Sequence, residues 1–309
     1  MLSLVIPIYN EVRLISELVR RSVDAVESVT DSYEIIFVDD GSTDDSLKLL
    51  LEAQSRNKRI KILSLSRNFG HQAAFTAGLE FSKGDIVAMM DGDLQDPPEI
   101  LPDMYRSIHE KNLDVVNGRK TGRKGRNSHK RYANLFHLLF RNIGDAGDIK
   151  NYGNFSMMTR EATNALLSMK EKVRYLPGLR SFIGFKQGYV DFVRDKRYKG
   201  KPKMSTKKLF VLAFDAIFSF SKLPIQLCMF IGTAGTVLFF IAGLYYLITL
   251  SFSMVSPRWS PVLLSIFFLA SVQLLFIGII GEYIFRNYKE TQGRPVYFIK
   301  KVYDSSQDQ

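Results

Sequence analysis

The chain has 309 residues, 42 Lys+Arg against 31 Asp+Glu, and a formal net charge of +11. That balance points to an anionic partner: nucleic acid, a phospholipid surface or a phosphorylated substrate. The single cysteine, Cys228, excludes an internal disulfide framework and fits a reducing compartment. The length suits one large domain or two smaller ones.

The opening stretch MLSLVIPIYNE is apolar but short, without a basic leader or a small-residue cleavage site, and reads as a first β-strand rather than a signal peptide. Further β-rich runs follow at YEIIFVDD, IKILSLS, DIVAMMDGD and DVVNG. Between them SLKLLLEAQSRN and HQAAFTAGLEFSKG carry a helical period with turn-like ends. This alternation predicts a parallel sheet covered on both faces. Ligands of such sheets bind beyond the carboxyl ends of the strands. Three polar clusters fall there: Asn10-Glu11, Asp39-Asp40 and Asp91 to Asp96.

In VAMMDGDLQDPPE four apolar residues run directly into carboxylates, which are costly at the end of a buried strand unless a cation neutralises them. Two readings of Asp91-Gly92-Asp93 stand open. One is an Asx turn leading into a helix that begins near Pro97-Pro98. The other is a pair of hard oxygen ligands, Asp91 and Asp93, for Mg²⁺ or Mn²⁺ bridging to phosphate oxygens. Two further polar strand ends nearby favour the metal. The four histidines show no metal-ligand spacing; His71 reads first as an ordinary exposed residue, with a place in the nucleotide pocket, by its location, as the alternative.

Near residue 205 the chain changes character. Residues 227–250 and 261–281 contain no charge, and each exceeds the ~20 residues that cross a bilayer core. The link SFSMVSPRWS makes them a helical hairpin. Basic flanks on both outer sides, against Arg258 alone in the link, place the large domain in the cytoplasm. Trp259 and Tyr283 suit interfacial anchors. In KLFVLAFDAIFSFSKLP, the residues Lys208, Asp215, Ser219 and Lys222 share one face, as in a helix lying in the membrane interface. Packing against the soluble domain is the alternative. HKRYANLFHLLFRN (129–142) is a weaker second case. The expected organisation is a catalytic domain over 1–205, an interfacial helix over 206–226, two membrane helices over 227–285 and a cytoplasmic tail over 286–309.

Together LVIPIYNE, FVDDGSTDDS, RNFGHQAAFTAGL and DGDLQDPPE resemble family 2 glycosyltransferases of the GT-A fold. They are closest in kind to polyprenyl-phosphate glycosyltransferases, the group of bactoprenol glucosyltransferases and dolichyl-phosphate mannose synthase. The two spans and GRPVY near residue 295 resemble the bacterial branch, and the resemblance covers nearly the whole chain. It implies a Rossmann-like, mostly parallel sheet followed by membrane helices in the bacterial plasma membrane. It also implies a nucleotide-sugar donor and a polyprenyl phosphate acceptor. Pro7, Tyr9, Asn10, Glu11 and Asp39 would line the base and ribose pocket, with Asp40 adjacent. Asp91 and Asp93 would match the Asp-x-Asp signature that holds metal and ribose, with Gln95 nearby. Arg67 and Gly70 would fall close to the nucleotide.

The basic stretch RDKRYKGKPKMSTKK resembles the family's loop between catalytic domain and membrane, in which Arg197 and Lys203 would hold phosphate. Pro202 stands where the family has serine. A second departure is NYGNFSMM, with Asn154 where the family often carries an acidic candidate base. An amide cannot accept a proton, but a lipid phosphate is already anionic and attacks unaided. Asn154 then positions the acceptor, or is a simple strand-edge residue. Asp145 and Asp148 lie upstream as further acids.

The expected reaction is transfer of a hexose from UDP-glucose or UDP-N-acetylglucosamine to undecaprenyl phosphate. It is a single inverting displacement with Asp93, Asn154 and Arg197 at its centre. A catalytically silent membrane scaffold that binds nucleotide or lipid is the competing reading. A processive synthase lacks its Gln-x-x-Arg-Trp motif here, and a dehydrogenase lacks its Gly-x-Gly-x-x-Gly turn. A nucleic-acid partner would explain the charge but not the spans. Assembly into homo-oligomers through the membrane segments is compatible with this plan.

Overall fold

The computed structural model describes residues 1–121, 152–172, 174–193 and 259–304, with scattered positions between 228 and 248. These fall into two compact units. The first comprises residues 1–121, 152–172, 174–193 and 294–304; the second comprises 259–293 and the scattered positions. Asp145, Asp148, Arg197, Lys203, the segments 129–142 and 206–226 and most of the first expected span lie outside the described residues.

The first unit is built on one eight-stranded sheet. Its strands are β1 (Leu2–Ile8), β2 (Tyr33–Asp39), β3 (Ile60–Leu65), β4 (Ile86–Met89), β5 (Val115–Thr121), β6 (Tyr152–Thr159), β7 (Gln187–Val193) and β8 (Ile299–Tyr303). Their order is β7-β5-β6-β4-β1-β2-β3-β8. The central run β4-β1-β2-β3 is parallel, as the strand–helix alternation predicts. β6 runs antiparallel to both β4 and β5, and β8 runs antiparallel to β3.

Period-two alternation sorts each central strand onto two faces. Leu2, Leu4, Ile6 and Ile8 of β1 join Tyr33, Ile35 and Phe37 of β2 in one core layer. That layer is covered by α1 (Ile15–Glu27), α2 (Ser46–Arg56) and α4 (Leu101–Lys111). Val5, Ile36, Val38, Leu63 and Val87 face the other way. They meet α3 (His71–Phe81), α5 (Arg160–Ser168) and α6 (Leu176–Phe182). Each such side chain contributes about 1.5–3 kcal/mol by leaving water. Gly78 lets α3 lie close to the sheet, because a Cβ there would stand 2.3 Å from Val5 Cγ1.

In the second unit α7 (Trp259–Thr291) contains the second expected span. Within its stretch Phe268–Thr291 a window of 18 residues has a mean hydropathy of 1.9, and none of that window is buried. It alone among the described residues is long and apolar enough to cross a membrane. The described positions within 227–250 are helical. Within the expected tail, residues 286–291 finish α7 and Ile299–Tyr303 pair with β3 as β8. The alternating Ile299, Lys301 and Tyr303 against Lys300 and Val302 are too short a pattern to announce a strand without its partner β3.

Candidate active site

The carboxyl ends of β1, β2 and β4 converge with β6 and the N-terminus of α3. At the end of β1 Tyr9 is partly exposed, and Pro7 lies within the strand opposite Val38. Asn10 turns the chain with φ 54°. Its Oδ1 accepts from Thr43 N at 2.8 Å and its own N donates to Ser42 Oγ at 3.0 Å, while Glu11 N donates to Ser46 Oγ at 2.9 Å. The β1 turn and the loop after β2 are thus one hydrogen-bonded piece.

Asp39 and Asp40 are both buried beneath this surface. Asp39 accepts from Ser42 N at 3.0 Å and Ser64 Oγ at 3.3 Å, closing the turn after β2. Asp40 accepts from Phe69 N at 2.7 Å and Gly70 N at 3.0 Å, so it clamps the Ser66–Gly70 loop. Burial raises its pKa, the two amides pull it down, and the net shift is upward. Gly41, with φ 68°, permits the close stacking of that loop: a Cβ would lie 2.6 Å from the Arg67 carbonyl carbon. Arg67 folds over the Phe69 ring at 4.3 Å.

After β4 the acidic turn is held by an unusual residue. Leu94 has φ 56° with its side chain buried, a conformation that costs about 1–2 kcal/mol for a non-glycine residue. Such outliers collect at functional sites. Asp93 Oδ1 accepts from Gln95 N at 3.1 Å, so the Asx turn foreseen as one reading is present. The Asx turn and the metal reading do not exclude each other.

Asp91 is the centre of the cluster. His71 Nε2 lies 3.1 Å and Asn154 Nδ2 3.4 Å from Asp91 Oδ1. His71 is therefore not a plain surface histidine. Burial works to raise the Asp91 pKa, but His71, Lys120 and Asn154 bring it below the ordinary carboxylate value. Burial likewise works against charge on His71, yet Asp91, Asp93 and Asp40 raise its pKa overall. Asn154 also accepts from Gln72 Nε2 at 3.1 Å, and Gln72 Oε1 accepts from Leu176 N at 3.0 Å. The structure thus brings Asp91 and Asn154 together and ties both to α3.

Two cations escaped the sequence reading. Lys120 Nζ stands 3.7 Å from Oδ1 of the fully buried Asp96. Gly153 leaves room for it, since a Cβ there would lie 3.2 Å from Nζ. Arg180 is buried in α6 and donates to Gly153 O at 2.8 Å and Ser156 Oγ at 2.7 Å. Burial pushes its pKa down to about 10. It fixes the backbone on either side of Asn154.

Among the described residues no three His, Cys, Asp or Glu side chains form a metal cage. The donor set nevertheless fits Mg²⁺ or Mn²⁺, which take one or two carboxylates and complete their shell with water and substrate phosphates. Asp91 and Asp93 are the two carboxylates available.

A mostly parallel α/β sheet with carboxylates gathered at its strand ends, and amide and cationic groups beside them, is the arrangement of a GT-A fold. The sequence profile described as "Glycosyl transferase family 2" matches residues 3–172. The chain belongs to that family and is a glycosyltransferase. It is 36% identical over 304 residues to the uncharacterized glycosyltransferase YkcC of Bacillus subtilis (strain 168), covering 97% of this chain and 94% of that one. It is 33% identical over 302 residues to the bactoprenol glucosyl transferase of Shigella phage SfII, covering 97% of each. The crystal structure of glucosyl-3-phosphoglycerate synthase from Mycobacterium tuberculosis in complex with Mg²⁺ and uridine diphosphate shares the fold. There the TM-score is 0.50 at 19% identity, covering 71% of this chain and 77% of that one.

Proposed function

We propose that this glycosyltransferase moves a hexose from a uridine diphosphate sugar, glucose or N-acetylglucosamine, to undecaprenyl phosphate at the bacterial plasma membrane. The observation that carries the reading is the Asp91–His71–Asn154 cluster at the strand ends, on a chain whose α7 carries no charge from Trp259 to Gly281. The near full-length similarity to a bactoprenol glucosyl transferase supports the acceptor class.

In this reading an acceptor phosphate oxygen attacks the anomeric carbon from the face opposite the diphosphate. The new C–O bond forms as the bond to the diphosphate breaks, and the leaving group takes the electron pair. No proton has to be removed from the acceptor, so an amide at 154 suffices: Asn154 orients the acceptor and holds Asp91. Lys120 faces the charge that builds on the leaving group. A divalent cation on Asp91 and Asp93 supplies further neutralisation of the diphosphate when bound. Arg197 and Lys203 serve as phosphate contacts. Pro7, Tyr9, Asn10, Glu11, Asp39, Arg67 and Gln95 belong to the donor pocket, with Asp40 holding its wall. Residues 227–250 form a second span beside α7, and both flanks stay in the cytoplasm.

The test uses the full chain in detergent with undecaprenyl phosphate, Mg²⁺ and a panel of nucleotide sugars, read by mass spectrometry. A lipid-linked monosaccharide from one donor, lost in Asp93→Asn, is the expected result. Folded protein that binds nucleotide and yields no product with any donor sinks the reading and favours the silent scaffold.

A further inference from the structure

The GRPVY stretch that follows α7 plays no part in the chemistry above, yet the structure sets its last residue, Tyr297, against α3 and the next, Phe298, against the Ser66–Gly70 loop. The Tyr297 hydroxyl donates to Glu80 Oε2 of α3, and its ring packs into the core layer of α3, α5 and α6. Burial, followed by the Glu80 carboxylate, raises the Tyr297 pKa, so the phenol stays a donor. The next residue, Phe298, accepts from Ser66 N at 2.9 Å through its carbonyl. Its ring meets Phe69 with centroids 6.1 Å apart and planes tilted by 49°. Phe69 N is one of the two amides held by Asp40. Arg67 also lies over the Phe69 ring.

The Ser66–Gly70 loop is therefore fixed from three directions. Asp40 holds it from below, Gly41 admits it from the side, and Phe298 braces it from the C-terminal segment. Tyr297 ties the same segment to the helix that starts where the loop ends and that carries His71 and Gln72. We infer that Tyr297 and Phe298 are positioning residues that brace the Ser66–Gly70 loop and thereby set the enzyme's affinity for the nucleoside diphosphate of the donor. This rests on the reading that the loop walls the donor site.

Phe298→Ala removes the ring and leaves the backbone bond to Ser66 in place; Phe298→Leu keeps an apolar contact; Tyr297→Phe removes only the hydroxyl. The measurements are amide hydrogen exchange of full-length protein in detergent, UDP binding, and steady-state rates. An aromatic contact of this kind is worth a factor of about three to ten. Phe298→Ala is expected to speed exchange at Phe69 and Gly70 by about that factor, leaving β1 and β2 amides unchanged. UDP affinity is expected to fall by a similar factor, with kcat at saturating donor within about twofold. Phe298→Leu recovers most of the loss, and Tyr297→Phe shows the same pattern more weakly. Unchanged exchange in both Phe298→Ala and Tyr297→Phe overturns the brace itself. Faster exchange with unaltered UDP affinity overturns the link to the donor, and in that case the fault lies in placing the loop at the donor site.

Discussion

At the scale of single residues, the site's charges are arranged so that removal of a cation and addition of an anion have different signatures. Lys120 sits 3.7 Å from the fully buried Asp96 and faces Asp91 electrostatically. Lys120→Met strips the ammonium from a buried carboxylate, which costs about 1–3 kcal/mol because Lys120 itself keeps some water. A lower melting temperature and at least about tenfold slower transfer are expected. Lys120→Arg retains most of both. Asn154→Asp does something else: it puts a second carboxylate where Asn154 Nδ2 now stands 3.4 Å from Asp91. Like charges this close resist joint ionisation. If the acceptor phosphate needs no base, Asn154→Asp slows transfer near neutral pH rather than speeding it. A faster variant, with a new rising limb in the pH–rate profile, would show that the step had wanted a base.

At the scale of elements, the added edge strand β8 is fastened by a buried triad. Lys61 Nζ of β3 lies 2.9 Å from Glu34 and 3.3 Å from Asp304, which follows β8. Burial works to raise the Glu34 pKa, but Ser3, Lys61 and the Lys83 amide bring it below its ordinary value. Burial works to lower the Lys61 pKa, and the two carboxylates raise it overall. The Glu34 share of stability is thus present above the ordinary carboxylate range and is lost as pH falls through its depressed folded value. The Lys61 share is present below the ordinary lysine value and is lost as pH rises through the elevated one. Lys61→Met leaves two buried acids without their cation and costs on the order of 3 kcal/mol. Melting curves at a series of pH values check the sign: the gap to the native protein narrows as acid protonates Glu34. A gap that stays constant down to strong acid removes the triad as its cause.

The elements also mark what the sequence made legible. β1 to β4 stood out because each is buried along its whole length, is dominated by aliphatic and β-branched residues and is followed by polar residues. β6, β7 and β8 did not. β7 has a largely exposed edge pattern, and β8 takes its place only by pairing with β3, over two hundred residues earlier in the chain. The acidic corners of the site were visible as strand ends. Lys120 was not, because RKTGRKGR reads as a solvated run until the β5–β6 pairing puts Arg119 opposite Tyr152 and brings Lys120 over Gly153. Arg180 sits alone in LPGLRSF, where only burial gives it meaning. His71 acquires its role through the distance to Asp91, a quantity no spacing along the chain contains.

At the scale of the whole molecule, the proposed reaction brings a soluble donor and an insoluble acceptor to one site, and in that proposal the second unit serves the acceptor. From Trp259 to Gly281 α7 carries no charge, and at 1.5 Å per residue this stretch is about 34 Å long, close to the ~30 Å hydrocarbon thickness. Polar chemistry resumes at Glu282, which pairs with Arg286 at 2.8 Å. Leu274, within that stretch, is 69 % exposed among the described residues. Leu274→Arg therefore leaves the sheet and its site intact while adding about 2.5–3.5 kcal/mol to the cost of membrane insertion. The expected outcome separates delivery from chemistry. UDP binding and transfer to a short, water-soluble isoprenoid phosphate stay near native, whereas transfer to undecaprenyl phosphate in vesicles and resistance to alkaline extraction from membranes both fall. Equal loss with the short and long acceptors would mean that α7 shapes the active site itself rather than holding it where the lipid phosphate emerges.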